Sequence, residues 1–331
     1  MTPKDLSSIG DVAGLEVGHD TDPRRPTGCT VVIARDGAVA GVDVRGAAPG
    51  TRETDLLAPG NLVERVHAIV LAGGSAWGLD AASGVVRWLE QQGVGMLVGP
   101  ARLPIVPGAV LFDLLLGDAS IRPNADSGYR ACQAASRQRP AEGNVGAGAG
   151  AAVGKIFGIA RAMKGGIGTA SVTVDGVTVA ALIACNALGD VIDPETAQVI
   201  AGARSVDGKR LLDSRRALLA GEAAQPLIPG TNTTIGVIAT DAVITRLQAT
   251  RLAQMGHDGL ARSINPVHTM SDGDTLFALG TGASGRSAGM MTLGTMAAEV
   301  TARAVARAVR AAQGITVGAL HLPACADLGR T

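Results

Sequence analysis

At 331 residues the chain can bury a large core, and α/β folds often exceed the ~150-residue prior as one unit, so residues 1–331 read as a single domain. Lys+Arg and Asp+Glu balance at 29 each and aromatic residues make up only 2%, which argues against nucleic acid or an acidic membrane surface as a partner and against base stacking. The 46 glycines are well above the usual share and follow no period, which points to many tight strand–helix junctions rather than a collagen-like or linker sequence.

The N-terminal MTPKDLSSIGDVAG lacks the apolar centre of a signal peptide, and no run of about 18 apolar residues suggests a membrane span. The expectation is a soluble, cytoplasmic protein. Residues 29–34 and 38–44 read as two short strands of a hairpin around Arg35-Asp36-Gly37. Residues 45–55, RGAAPGTRETD, combine charge, glycine and proline, as in a solvated loop or in the wall of a site. Residues 67–71 form the next strand. It runs through Ala72-Gly73-Gly74-Ser75-Ala76-Trp77-Gly78 into an amphipathic helix over about 79–92, which Gly93 stops. A glycine turn ahead of a helix can cradle an anion, but GGSAWG is neither GxGxxG nor a Walker loop. Trp77 at this turn either walls a pocket or packs in the core.

Pro100, Pro104 and Pro107 rule out a regular helix over 98–112. A helix over about 127–136 and a polar linker over 137–143 precede NVGAGAGAAVGK at 144–155. Its alternating glycines allow close backbone approach, and Lys155 is the lone charge at its end, either on the surface or partly buried and functional. Residues 169–174 and 177–184 read as a hairpin around Asp175-Gly176. The second strand runs into Asn186, a turn former or an amide donor aimed into a site. The charged, alanine-rich 205–225 segment is partly helical and leads through Pro226 and Pro229 as an exposed linker.

Thr231-Asn232-Thr233-Thr234 then opens an apolar, β-branched run to Asp241 that reads as a buried strand. Hydroxyls at the mouth of such a strand ordinarily cap or pair with backbone. The sharper reading is that the chain cuts its own Asn232–Thr233 bond, leaving Thr233 with nucleophile and base, hydroxyl and α-amine, on one residue. A helix over about 242–256 follows. Asp272 and Asp274 lack the order and distal Glu of an EF-hand and read either as a surface Asx-turn pair or as carboxylates holding a cationic amine. The last long helix, about 287–313, carries Arg303, Arg307 and Arg310 on one side and packs its other side on a sheet. Residues after His321 read as a loose tail. The four cysteines form no CxxC and read as small buried hydrophobes. The five histidines are never at ligand spacing, so no metal or cofactor is expected. Alternating strands and helices indicate a layered α/β fold.

Seven stretches in this order resemble one family: DVRGAAPGTRETDLL, LAGGSAWGLDAASGV, VGAGAGAAVGK, AMKGGIGTAS, NALGDVIDP, TNTTIGVIATDA and HTMSDGDTLFALGTG. The family is the DmpA-type L-aminopeptidase/D-esterases, self-processing N-terminal-nucleophile hydrolases that include β-peptidyl aminopeptidases and nylon-oligomer hydrolases. The resemblance implies a four-layer αββα sandwich cut once into an α chain (1–232) and a β chain (233–331). These stay associated and assemble into homo-oligomers of αβ units. The nylon-oligomer branch is the nearer one at the site, because it shares the Asn–Thr processing site and a paired-aspartate loop. By that resemblance Thr233 is the nucleophile, Lys155 the site lysine, Asn186 the oxyanion donor, and Asp272 and Asp274 the paired aspartates. Trp77 stands where that branch has a tyrosine, which removes a phenol hydroxyl. The aminopeptidase branch has a serine nucleophile and a Ser-Gly-acid arrangement in place of Asp272-Gly273-Asp274. The implied activity is hydrolysis of amide, and by extension ester, bonds of small peptides or peptide-like oligomers, through an acyl-Thr233 intermediate and without cofactor. An acyltransferase of the ornithine-acetyltransferase type would use the same acyl-threonine with an amine acceptor.

Overall fold

A computed structural model describes residues 7–225 and 230–328. Its frame is a mixed sheet. In chain order the strands are β1 (Glu16–Thr21), β2 (Gly28–Val44), β3 (Val66–Ala72), β4 (Gly108–Val110), β5 (Gly166–Val174), β6 (Val177–Asn186), β7 (Thr233–Thr240) and β8 (Thr275–Gly280). The helices that cover it are α1 (Ala81–Gln91), α2 (Ala125–Gln133), α3 (Arg246–Ser263) and α4 (Met290–Arg310). Hydrogen bonding runs in the order β5-β6-β7-β8-β2-β3-β4, with β1 also on β2. The pairs β7–β8 and β3–β4 are parallel.

The 35–37 turn signal does not make a hairpin. Residues 28–44 form one strand. Its first half pairs with β1 and β3 and its second half with β8, with a register shift between Ile33 and Ala38. Gly37, at φ +73°, supplies the irregularity that lets one strand pass from one half of the sheet to the other. At 175–176 the hairpin reading holds: β5 and β6 pair antiparallel, and both Asp175 and Gly176 take the positive φ of a tight turn.

The strands' period of two sorts side chains into separate cores. From β6, Ala181, Ile183 and Cys185 face Leu252, Leu260, Val300 and Val305 of α3 and α4. Between them, Leu182 and Ala184 turn the other way, with Val237 and Phe277, against Val32, Ile69 and Leu71 of the opposite sheet half. On that half's outer side, Val31, Ile33 and Val70 pack on Val85, Trp88 and Leu89 of α1. Three apolar interfaces between four layers make an αββα sandwich. Phe277 at its centre is fully buried, and truncating such a side chain costs about 3–5 kcal/mol.

Of the residues after His321, the described ones, 322–328, are not a loose tail: Cys325–Leu328 form a short helix. Ile315–Val317 and Leu320–Leu322 form a hairpin, and Leu322 is fully buried against Leu116, Ala152 and Ala162. Residues 205–225 contain one short helix, Ser214–Leu219. The Pro226–Pro229 part of the expected linker lies outside the described residues, as do the first six residues of the N-terminal reading. Cys29, Cys132 and Cys185 are buried and Cys325 is half-buried; all are unpaired. Among the described residues no helix is long and apolar enough to cross a membrane.

Candidate active site

Every residue of β7 is buried, starting with Thr233. Its neighbours in the sheet fix what surrounds that first residue. Antiparallel pairing sets Asn186, the last residue of β6, opposite Thr233. On the other side, a bridge pairs Asn232 with Asp272, just ahead of the parallel β7–β8 ladder. Thus Asn186, Thr233 and Asp272 gather at one end of three adjacent strands, although they lie far apart in the chain.

The Thr233 hydroxyl donates to the carbonyl oxygen of Asn232 at 2.5 Å. The same oxygen accepts the Gly273 N–H at 2.9 Å. A carbonyl polarised by a fixed amide, with a hydroxyl beside it, is the starting arrangement for attack on that carbonyl. Asn232 itself is buried, and among the described residues its side-chain oxygen has no hydrogen-bond partner. An unsatisfied buried acceptor costs about 1–3 kcal/mol.

Lys155 is buried at the end of the glycine run, as one of its two readings anticipated. Its ammonium donates to Asn186 Oδ1 at 2.8 Å, to the Asn186 carbonyl at 2.9 Å and to the Thr231 carbonyl at 3.1 Å. Burial pushes its pKa down to about 7, while the charges of Asp272 and Asp274 pull it back up. Lys155 therefore meets Thr233 through the residues on either side of it, not directly. Asn186 Oδ1 also accepts the Ala152 N–H at 3.0 Å, and its Nδ2 donates to the Phe112 carbonyl at 3.0 Å. One of its two amide hydrogens is thereby committed to positioning.

Both aspartates are buried, so the surface Asx-turn reading fails. Asp274 Oδ1 accepts the Thr234 N–H at 2.7 Å, and its Oδ2 accepts the N–H and Nδ1 of His268 at 3.2 and 2.8 Å. Asp272 Oδ2 accepts the Thr269 N–H at 2.8 Å. Burial raises the pKa of Asp272, and the neighbouring Asp274 charge raises it further. The 45–55 loop is a wall of this site: Arg45 and Gly46 donate backbone N–H groups to the Asp274 carbonyl, and Ala48 donates to that of Asp272. A Cβ on Gly46 would stand 2.3 Å from the Asp272 carbonyl oxygen, so only glycine fits.

Trp77 is not in the core. It is 57% exposed, with the Arg122 guanidinium stacked 4.3 Å from its ring centroid. Its turn reaches the site one step removed. Gly74 donates to Asp113 Oδ1 at 3.0 Å, and Asp113 follows Phe112, whose carbonyl holds Asn186. Asp113 is fully buried with Arg25, which bonds both its carboxylate and its carbonyl, and with the Thr27 hydroxyl. Sequence reading missed Arg25, Asp113, Gly273 and His268. The first two carry no local signal, being 88 positions apart.

Known proteins similar to this chain include the following three. An uncharacterized aminopeptidase of Mycobacterium leprae (strain TN) is 44% identical over 340 residues, covering 94% of this chain and 92% of that one. A 6-aminohexanoate-oligomer endohydrolase of Paenarthrobacter ureafaciens is 31% identical over 274 residues, covering 82% and 74%. The solved structure of an L-aminopeptidase D-Ala-esterase/amidase from Ochrobactrum anthropi, described as a variant of the Ntn-hydrolase fold, superposes with a TM-score of 0.71 at 21% identity, covering 96% and 91%. The family model of Peptidase family S58 matches residues 7–321. Fold and sequence agree: the chain belongs to Peptidase family S58 and is a hydrolase of C–N bonds.

Proposed function

We propose that the protein is a self-processing amidohydrolase of small peptides or peptide-like oligomers, with Thr233 as its nucleophile. The observation that carries this reading is the Asn232 carbonyl, which accepts from both the Thr233 hydroxyl and the Gly273 N–H. In self-cleavage Thr233 Oγ adds to the Asn232 carbonyl carbon, and the developing oxyanion keeps the Gly273 donor. The C–N bond then breaks, nitrogen takes the proton given up by oxygen, and an ester joins Asn232 to Oγ. Water hydrolyses that ester to the Asn232 carboxylate and a free Thr233 hydroxyl, leaving α and β chains of 1–232 and 233–331 in one fold.

The freed Thr233 α-amine has a reference pKa of about 7.7–8.0, near enough to neutrality to take the hydroxyl proton. Attack on a substrate amide gives an acyl-Thr233 and releases the amine; water then releases the acid. Asn186 offers its remaining amide hydrogen to the tetrahedral oxyanion, and Lys155 fixes Asn186 and offsets the developing charge. Asp272 and Asp274 hold the amine-bearing end of β7. Trp77 borders the approach to the site through the 73–78 turn. The names of the relatives extend the substrate class to N-terminal residues of peptides and to 6-aminohexanoate oligomers. The same reading makes the protein cytoplasmic and an oligomer of αβ units.

Denaturing mass spectrometry of the purified protein tests it. The expected result is two chains, the smaller beginning Thr233-Thr234-Ile235, with Thr233→Ala giving one intact, inactive chain. A wild type that is active as a single chain overturns the reading. Product analysis with an acyl donor, with and without added amine, separates hydrolysis from acyl transfer.

A further inference from the structure

His268 lies outside the set of residues so far given a role, yet it makes two of the three hydrogen bonds to the Asp274 carboxylate. Its backbone N–H and its Nδ1 both reach Oδ2, while the Thr234 N–H takes Oδ1. Asp272, two residues earlier, is held from a single residue, Thr269, whose backbone N–H lies 2.8 Å from Oδ2 and whose side chain also bonds the carboxylate. The two buried carboxylates are therefore held unequally.

His268 is also built into its place. It takes φ +56°, a left-handed backbone uncommon outside glycine, although histidine is among the residues that adopt it more readily. Its ring meets that of His257 edge to face, with centroids 4.8 Å apart. His257 is in turn tied to strand β2, its Nε2 lying 3.1 Å from the Asp43 carbonyl oxygen. The imidazole is thus braced from the sheet on one side and aimed at Asp274 on the other.

We infer that His268 is a positioning residue that orients the Asp274 carboxylate toward the Thr234 N–H at the head of β7. This rests on the self-processing reading. Through Asp274 and the Thr234 N–H, His268 sets where the first residue of β7 points, both before the cut and after it.

The test uses substitutions that the left-handed backbone accepts. His268→Gly keeps the conformation and the backbone N–H but removes the ring donor. His268→Asn puts Nδ2 at the same branch position as the lost Nδ1, and asparagine tolerates positive φ. His268→Asp has the same shape with an oxygen facing Asp274. The time course of chain cleavage is followed by denaturing mass spectrometry, and kcat and KM of the cleaved enzyme are measured on an amino-acid anilide.

The expected result is slower self-cleavage and a kcat lower by about 10- to 100-fold in His268→Gly, the weight of one charge-assisted hydrogen bond, with KM little changed. His268→Asn recovers most of the loss, and His268→Asp is slower than both. Cleavage and turnover at the wild-type rate in His268→Gly, or equal rates for the Asn and Asp variants, overturn the inference. Wild-type cleavage between Asn232 and Thr233, together with an inert Thr233→Ala, shows that such a failure belongs to His268 alone.

Discussion

Lys155 and Asn186 act as one buried unit, joined twice: the ammonium donates to the asparagine's side-chain oxygen at 2.8 Å and to its backbone oxygen at 2.9 Å. The third donation, to the Thr231 carbonyl, ties that unit to the residue just ahead of Asn232, whose peptide bond is the proposed cleavage site. Lys155→Met keeps the side-chain volume but removes the ammonium's donors from three buried oxygens, of which Asn186 Oδ1 keeps the Ala152 N–H, and an acceptor left unsatisfied costs about 1–3 kcal/mol. The expected outcome is a lower melting temperature and a chain that self-cleaves at least about 100-fold more slowly, because Asn186 loses its fixed orientation. Lys155→Arg should not restore function, since a planar guanidinium cannot point three donors where the ammonium does. Thermal melts and a cleavage time course check both statements.

Gly273 sits where added bulk meets the reacting atoms. A Cβ there would lie 2.6 Å from the Ala48 carbonyl oxygen and 3.2 Å from Thr233 Oγ1. Gly273→Ala must therefore push the 272–274 loop away from Asn232 and lengthen its N–H bond to the Asn232 carbonyl. Loss of one oxyanion donor typically costs ~10²–10³ in rate, and self-cleavage of this variant is expected to slow by that order. Unchanged cleavage kinetics on a denaturing gel would show that the Gly273 N–H does not serve the step.

The Asp272–Asp274 pair gives stability a pH dependence with a definite sign. Burial, and then the Asp274 charge, hold the folded-state pKa of Asp272 above its ordinary value. Between the unfolded value, about 3.9, and the raised one, the folded protein binds the extra proton. Asp272 therefore makes stability fall as pH rises through that window. Asp272→Asn keeps an oxygen for the Thr269 N–H and removes the charge. Its melting temperature is expected to exceed that of wild type at pH 7, with the gap closing as pH is lowered through the raised pKa. Melts of the two proteins across that range measure it.

What the sequence disclosed depended on how local the cause was. Asp175-Gly176 needs only positive φ at two adjacent residues to make its hairpin, and the apolar run from Thr233 to Thr240 needs only burial on both faces. Arg35-Asp36-Gly37 carries a similar turn signal. There the partners are β8 and β3, strands brought in from elsewhere in the chain, and they hold 28–44 as one strand. The 315–322 hairpin was hidden because its reward, burial of Leu322 against Leu116 and Ala152, comes from distant residues. At the site, Thr233, Lys155, Asn186 and the aspartates lay in motifs. His268 stood in one of the same motifs, but its role shows only in the bond to Asp274.

Lys164 is among the largest fully buried side chains of the described residues, and the proposed chemistry does not use it. Its ammonium donates at 2.9 Å to the carbonyls of Gly148, Ala151 and Gly165. Burial lowers its pKa to about 7. The first two of those carbonyls belong to the glycine run, and the residue after Ala151 supplies the N–H that Asn186 Oδ1 accepts. Lys164 thus pins the stretch from which Asn186 and Lys155 are placed. Lys164→Met takes the ammonium donor from three buried carbonyls, two of which keep a backbone N–H, and is expected to destabilise the fold by about 1–3 kcal/mol. Because the run moves as a piece, self-cleavage should slow in the same variant even at temperatures where it stays folded. Denaturant unfolding of Lys164→Met on a Thr233→Ala background, where the chain stays intact, measures the first effect apart from the second. A variant that loses stability but cleaves at the wild-type rate would confine Lys164 to the fold and free the glycine run from its part in placing Asn186.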